Sequence, residues 1–586
     1  RRVRGDAARA AAYGEMTAAF ARKIGEAPER AAAEMQKARG AAGAKEARAR
    51  ATAAATEALY MLGAMKVLLP ELAEPACGAC ADACAGLLDL DEPLLTQHAT
   101  EALLALANSP TMDADDGSEG VSADTIVGLM APIAAVANAN LNTAPTMVIS
   151  LARLLSRAQC KLHAIDAQAS AKALPTTFHS LVKLFASPHE GVATEVAEAL
   201  ISLVRSCIDS GMVQEGIKAI ASARAAGKSA PSKPTTLMSV ASSIESAIGF
   251  RYRGAWAVSI PVATCAFMRL GPASGPILAG TLNALGEMGE HASELMCKQQ
   301  LQDCITAAIQ AIGPEQVLAS LPLKLEEAID AELANRQGDG DGMEVDEQDV
   351  MNAASQETGR LWLVPLLRSG LVGANMGFFA DAILPQARAL GARAEHARNS
   401  QSSYEAQRCG AAEHALWSLF PAFANWPSDA SDAFPLIAKD LGNALSSRID
   451  LQGPICEGLK RLIRQGRIGA GVYEVDDDDE AGDGASTIAA GEPNDDQMPA
   501  TFTVDIAEAQ LAAVSKYARN FLPILFNLFV SSPTSRRGEL SHTIGAFAKV
   551  TDQAQLGGFF RTVLRKLVKV TADDPGAPDA LVEGGD

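Results

Sequence analysis

One recurrence constrains this chain more than any single motif. From about residue 52, an amphipathic run of roughly 12 to 18 residues is followed by a short Pro, Gly or Asp turn and a second such run. Between Phe178 and Phe185 the apolar residues Phe178, Leu181, Val182 and Phe185 fall at i, i+3, i+4 and i+7, one face of a helix. Ala186-Ser187-Pro188-His189-Glu190-Gly191 breaks that run, and Val192, Val196, Leu200, Leu203 and Val204 make the stripe of the next. The form returns at 77–108 around Asp89-Leu90-Asp91-Glu92-Pro93, and at 260–289 around Gly271-Pro272. It returns again at 362–390, and at 414–448 around Asn425-Trp426-Pro427-Ser428-Asp429. No segment shows the period-two Val, Ile and Thr alternation of a strand.

A period of about 40 residues is that of HEAT and armadillo helical pairs, whose apolar stripes are covered only by stacking on neighbours. The expected fold is all-α, a HEAT/armadillo-type α-solenoid with long acidic disordered loops. Composition agrees: 48% of the residues are apolar and 5% aromatic, and Ala and Leu carry the apolar share. The expected organisation begins with an Ala/Arg-rich helical or poorly ordered segment at 1–51. HEAT-like repeats follow at 52–334, 358–470 and 503–572, separated by an acidic linker at 335–357 and an acidic disordered loop at 471–502. An acidic tail occupies 573–586.

The net charge of −20 is unevenly spread. Segments 113–119, 338–349, 474–496 and 573–586 hold 4, 6, 10 and 5 acids and no Lys or Arg, which leaves 50 basic against 45 acidic residues elsewhere. The repeats themselves are therefore mildly basic, and the overall acidity does not argue against an anionic partner. No uninterrupted apolar run reaches the roughly 18 residues of a membrane span; Ile126 to Ala137 is short and contains Pro132. The opening Arg1-Arg2-Val3-Arg4 has no Met, apolar core or cleavage site, which reads as a fragment with no signal for secretion. Ten cysteines, mostly scattered through apolar helices, read as buried thiols of a reducing compartment.

Patterns that would carry chemistry are scarce. Cys77, Cys80 and Cys84 share one helix face, but zinc sites use short ligand pairs on turns, and a small-residue helix contact explains the spacing better. Gly227-Lys228-Ser229 imitates the end of a phosphate loop, yet Ser222 stands where the first glycine belongs and a helix precedes it. The Gly338, Gly340 and Gly342 run sits among aspartates, and His179 and His414 lie inside helical runs. No catalytic, metal-binding or cofactor-binding residue is assigned. The charged groups that do point to a ligand are Lys460, Arg461, Arg464 and Arg467, then Arg561, Arg565, Lys566 and Lys569. Spaced at helical intervals, they form cationic faces suited to phosphate contact, with the acidic 474–496 tethered between them.

Four stretches in order bring a family into view. Phe250-Arg251-Tyr252-Arg253-Gly254-Ala255-Trp256 comes first; Leu361-Trp362-Leu363-Val364-Pro365-Leu366-Leu367-Arg368 follows, with Met376-Gly377-Phe378-Phe379 and Ile383-Leu384-Pro385. Leu416-Trp417-Ser418-Leu419-Phe420-Pro421-Ala422-Phe423 and Ala518 to Asn527 complete the series. Their order and spacing resemble the ribosomal RNA-processing protein 12 family from about 170 to 530. The resemblance implies a scaffold without catalytic residues, active in pre-rRNA processing and in small-subunit maturation or nuclear export. Its implied partners are pre-ribosomal particle proteins and pre-rRNA, in the nucleolus and nucleus with shuttling to the cytoplasm. A HEAT-repeat nuclear transport receptor of importin or exportin type, meeting Ran and nuclear pore components, is the alternative. Trp256, Trp362, Trp417, Phe420 and Phe521 are expected to fill gaps between repeats, and Pro365, Pro385, Pro421 and Pro523 to mark helix starts or kinks.

Overall fold

Polar residues at the turns start the helices, and glycines with positive φ stop several of them. In this computed structural model Asp166 accepts from the N–H groups of Gln168 and Ala169 at 2.8 and 3.0 Å, and Asp209 from that of Met212 at 2.8 Å. Each such cap satisfies donors that a helix start leaves without partners. Gly227, Gly271 and Gly313 take φ of 69, 54 and 82°, where a side chain would crowd the backbone. Gly227 ends the helix Ser210–Ala225, so Gly227-Lys228 is a helix terminus and not a phosphate cradle.

The structure describes residues 44–72, 76–88, 93–109, 121–142, 144–228, 233–291, 295–338, 359–472 and 498–573, with Glu74, Pro231 and isolated positions between 15 and 33. Among the described residues every regular element is helical. Segments 113–119, 339–349, 474–496 and 574–586, which hold nearly all the acidic inserts, lie outside them, as does most of 1–43. The first long helix, Ala44–Leu68, begins upstream of residue 52.

The chain divides into two units, Arg1–Ile312 and Gly313–Asp586. The first unit has two layers. One contains Ala76–Gly86, Ala123–Ala139, Ala167–Lys183, Thr236–Ile248 and Ala279–Gly289, each packed on the next. The other contains Ala44–Leu68, Pro93–Asn108, Pro145–Ile165, Glu190–Cys207, Trp256–Leu270 and Lys298–Ile312. Alternate helices therefore stack on alternate helices, which is the packing that single amphipathic stripes require. The pair read at 260–289 is one helix out of phase, since Trp256–Leu270 belongs to the layer of second helices. The extra helix Ser210–Ala225 causes this by inserting half a pair against Thr236–Ile248.

The second unit repeats the arrangement. Leu363–Gly370, Ser403–Trp417 with Phe420–Phe423, Gln452–Gly469 and Thr534–Val550 form one layer. The 376–399 segment, Ala430–Ser447 and Val504–Ser531 form the other, and Gln553–Asp573 returns to it through Phe526 and Phe559, whose rings lie 4.7 Å apart. Helix Leu325–Gly338 joins this unit because Glu332 takes a two-pronged ion pair from Arg408, both contacts at 2.8 Å.

Of the expected aromatics, Trp417, Phe420 and Phe521 fill gaps between these helices, whereas Trp362 is half-buried. Phe379 meets Trp417, Phe420 and Phe423 at 6.3, 5.7 and 5.6 Å, Phe434 meets Phe521 at 6.2 Å, and Phe521 stacks on Phe547 at 5.5 Å. Pro385 and Pro421 stand in first helical turns, Pro365 is the third residue of its helix, and Pro523 lies inside one. The turn before Pro385 widens into the π-helical Phe379–Ile383, which accommodates a ring that cannot donate to the carbonyl of Asp381. One stretch, Phe250–Ile277, is long and apolar enough on average to cross a membrane. It consists of a 3₁₀ turn, a helix of 15 residues, a second 3₁₀ turn and a helix of 4 residues. At about 1.5 Å per residue the longer helix falls short of a roughly 30 Å bilayer core. Most of its large apolar side chains, Met268 excepted, are buried, and it packs on Glu190–Cys207 and Lys298–Ile312.

Candidate nucleic-acid interface

Helix Gln452–Gly469 owes its position to three glycines. A Cβ on Gly458 would lie 2.4 Å from the Phe420 ring, one on Gly466 2.8 Å from Leu511, and one on Gly469 2.7 Å from Phe502. Only bare backbone lets the helix approach its neighbours this closely on that side. The opposite side carries the cations. Arg464 is exposed, and Lys460, Arg461 and Arg467 are half-buried.

Arg461 and Arg467 make contacts within the protein. Arg461 donates to the Pro421 carbonyl at 3.1 Å and to Glu457 at 3.3 Å, tying its helix to the preceding pair. Arg467 donates to the Val472 carbonyl at 3.2 Å, closing the end of its own helix. Lys460 and Arg464 project from the same face one turn apart. Arg561 and Arg565 are exposed on Gln553–Asp573, with Arg561 also donating to the Gly557 carbonyl at 3.0 Å. The side chains of Lys566 and Lys569 lie outside the described residues. The two sets stand on two helices that are separated along the chain by Val504–Ser531 and Thr534–Val550. Residues 473–497 leave from and return to the connection between Gly469 and Val504, the end of the helix that carries Arg467.

That connection rests on a buried hub, which reading the sequence treats as a mere turn. The backbone N–H of Trp426 donates to Gln465 Oε1 at 2.6 Å, and Gln465 Nε2 donates to Asn425 Oδ1 at 2.8 Å. Asn425 Nδ2 donates to the Leu371 carbonyl at 3.1 Å, and Gln510 Nε2 to that of Leu462 at 2.7 Å. Asp429 accepts from the N–H groups of Met376 and Gly377 at 2.7 and 2.8 Å, capping a helix of the previous pair. The Trp426 ring packs edge-on against Phe502 at 4.9 Å, so the returning end of the insert is clamped to the turn. In sequence, the Asn-Trp-Pro-Ser-Asp composition was the available sign of a polar cap; its partners lie about 40 to 54 residues away.

Other sequence candidates resolve into packing. Cys77, Cys80 and Cys84 are buried, and Cys77 Sγ points to the Leu69 carbonyl at 3.9 Å. Burial, with Cys80 alongside, pushes the Cys84 thiol up to about 12. Among the described residues no three metal-ligating side chains are brought together. His179 and His414 are exposed on their helices. A pocket of about 630 Å³ is lined by Arg398, Ser403, Gln407, Arg448 and Asp450, among others. Its Arg448 is already paired with Glu413 and Asp450, each at 2.8 Å.

Stacked helical pairs, rings between the repeats and cationic helix faces define an α-solenoid of the HEAT class. The description "Ribosomal RNA-processing protein 12, HEAT repeats" fits residues 186–337 and 347–532, and "RRP12-like, N-terminal HEAT repeats" fits 18–114. The chain belongs to the ribosomal RNA-processing protein 12 family. It is 27% identical to the RRP12-like protein of Gallus gallus over 401 residues, 67% of this chain and 25% of that protein. The RRP12-like protein of Homo sapiens is 23% identical over 522 residues, 88% of this chain and 34% of that protein. Ribosomal RNA-processing protein 12 of Saccharomyces cerevisiae is 20% identical over 395 residues, 67% of this chain and 28% of that protein. The chain thus spans a quarter to a third of the length of these relatives.

Proposed function

We propose that this chain is part of a non-enzymatic scaffold of ribosome biogenesis. It binds pre-ribosomal particles, supports pre-rRNA processing and small-subunit maturation or export, and works in the nucleolus and nucleus. The observation that carries the reading is the family match over both units, since the relatives' own names specify ribosomal RNA processing. Direct contact with pre-rRNA is supported by the cationic faces at Lys460, Arg461, Arg464 and Arg467 and at Arg561, Arg565, Lys566 and Lys569. Several Lys and Arg on one helix face bind phosphates through counterion release, without reading bases. The acids of 474–496 are tethered beside Arg467 and compete with RNA for the first face. The transport-receptor alternative, with Ran and nuclear pore components, draws no support from the relatives' names.

Filter binding of unrelated RNAs at two salt concentrations tests the RNA contact. Deleting 474–496 raises affinity at low salt, and the gain shrinks as salt screens both competitors. Replacing Arg561, Arg565, Lys566 and Lys569 with Glu weakens binding uniformly across sequences and flattens the salt dependence. Unchanged affinity in both variants would mean that the chain reaches the particle through proteins alone.

A further inference from the structure

The 3₁₀ turn Phe250–Ala255 joins Thr236–Ile248 to Trp256–Leu270 and displays an aromatic ring to solvent. Phe250 is 76% exposed, whereas its neighbours Tyr252 and Trp256 are buried. The backbone explains the split. Tyr252 departs from helical geometry at φ −106° and ψ 25°, which turns its ring inward onto Phe185 at 6.4 Å. The indole N–H of Trp256 donates to the Gly249 carbonyl at 3.3 Å and fixes the base of the turn. Phe250 then stands edge-to-face beside Trp256 at 6.4 Å, with most of its surface in water.

One guanidinium lies over the ring and a second over the ring of its neighbour Tyr252. Arg253 lies 5.8 Å from the Phe250 centroid, and Arg251 lies 5.5 Å from that of Tyr252. Both are exposed, and among the described residues neither has a carboxylate partner. Lys183, also exposed, ends the helix before the adjoining turn Leu184–Ala186, which packs on this one. An exposed apolar ring costs free energy in water, and two unpaired arginines beside it favour an anion. An apolar protein partner would leave those two charges buried and unpaired. A single strand supplies both complements, the π-face of a base for the ring and the phosphates on either side of it for the arginines.

We infer that Phe250, Arg251 and Arg253 form a stacking platform for an unpaired base of single-stranded RNA. This rests on the RNA-binding reading of the protein but uses a different unit and a different chemistry. The faces on Gln452–Gly469 and Gln553–Asp573 contact phosphates and do not distinguish strandedness, whereas the platform requires a base out of its helix. It takes any base, because every base has a π-face.

The test is fluorescence anisotropy of the full chain with oligouridylate and with an RNA duplex of equal length. Phe250→Ala is expected to weaken oligouridylate binding about tenfold or more, the loss of one base–aromatic stack, and to leave duplex binding unchanged. Phe250→Trp is expected to restore it, with oligouridylate quenching the new indole. Arg251→Glu with Arg253→Glu lowers affinity for the single strand and reduces its salt slope. The platform is overturned if Phe250→Ala binds both RNAs like the parent, or if both fall equally. Charge reversal at Lys460, Arg464, Arg561 and Arg565 is the separate control. If that reversal abolishes duplex binding while Phe250→Ala changes nothing, the platform alone is wrong. If the reversal changes nothing while Phe250→Ala weakens the single strand, the phosphate faces are wrong and the platform stands.

Discussion

The turns at 249–255 and 424–429 each join the two helices of one pair, and each carries a large aromatic ring. Their fates differ. Trp426 is 2% exposed and Phe250 is 76% exposed. What separates them is cover from elsewhere in the chain. Phe502 returns across the acidic insert to pack on Trp426, and Gln465 rises from the next pair to take its backbone N–H. Nothing comparable reaches over Phe250 among the described residues. A ring in a turn thus becomes core or surface according to whether a later segment is tethered within reach, not according to its own hydrophobicity.

The sharpest way to break this comparison is Trp426→Ala. The ring is buried, and its backbone takes φ of 56°, a conformation that costs a non-glycine residue about 1–2 kcal/mol and persists only where the surroundings fix it. Its indole N–H has no hydrogen-bond partner among the described residues, so burial and shape, not polarity, hold it there. Removing the ring empties a site shared by Phe502, Ala507 and Ile468. The expected loss is about 3–5 kcal/mol, typical of a large aromatic truncated in a packed core. Urea denaturation followed by far-UV circular dichroism measures it. A loss below about 1 kcal/mol would mean that the turn at 424–429 is no more anchored than that at 249–255.

A middle-sized effect separates the acids that staple neighbouring pairs. In the second unit Asp429 reaches back to Met376 and Gly377. In the first unit Glu74 accepts from the N–H groups of Gly78 and Ser122, both at 3.0 Å, and from the Thr125 hydroxyl at 2.8 Å. Burial works to raise the Glu74 carboxyl, and these hydrogen bonds outweigh it and hold the group below its ordinary value. With the folded value below the unfolded one, the stabilisation is complete above the unfolded value of about 4.3 and is lost as pH falls through the folded value. Glu74→Gln is therefore expected to cost about 1–2 kcal/mol at pH 7. The gap from the parent closes in acid, as thermal melts from pH 7 down to pH 3 will show. A gap that stays constant with pH would assign the contacts to shape rather than to charge.

These cases also mark how far the residues could be read in advance. The helices themselves were legible, because Phe178, Leu181, Val182 and Phe185 declare a face within eight residues and Gly271-Pro272 declares a break. So were the inter-repeat rings, since Trp417, Phe420 and Phe521 sit at helical spacing among aliphatic residues. Pairings across repeats were not. Asn425 with Gln465, and Asp429 with Met376, are separated by 40 and 53 residues and use types common in any turn. The close approach at Gly458, Gly466 and Gly469 was equally hidden, because glycine in a helix announces a weakness and not what fills it. The phase of the layers was lost at one extra helix, Ser210–Ala225. Of the cationic candidates, spacing placed each set on one helix but could not reveal that Arg461 donates to the Pro421 carbonyl.

The smallest expected effect is the stability change of Phe250→Ala, and it decides whether the comparison of the two turns is a fair one. The ring touches Trp256, and an edge-to-face pair contributes about 0.5–1.5 kcal/mol when well packed. With three quarters of the residue in water, most of that contact competes with solvation, and its truncation leaves no enclosed cavity. The anchor of the turn is instead the Trp256 N–H to Gly249 hydrogen bond together with the burial of Tyr252, and neither involves the Phe250 side chain. The loss should therefore stay within about 0.5 kcal/mol, the range of surface substitutions. The same urea titration used for Trp426→Ala measures it, with the two variants side by side. A loss above about 2 kcal/mol would show that Phe250 shields Trp256 as Phe502 shields Trp426, and the ring would then be a structural cover with no face to spare for a base.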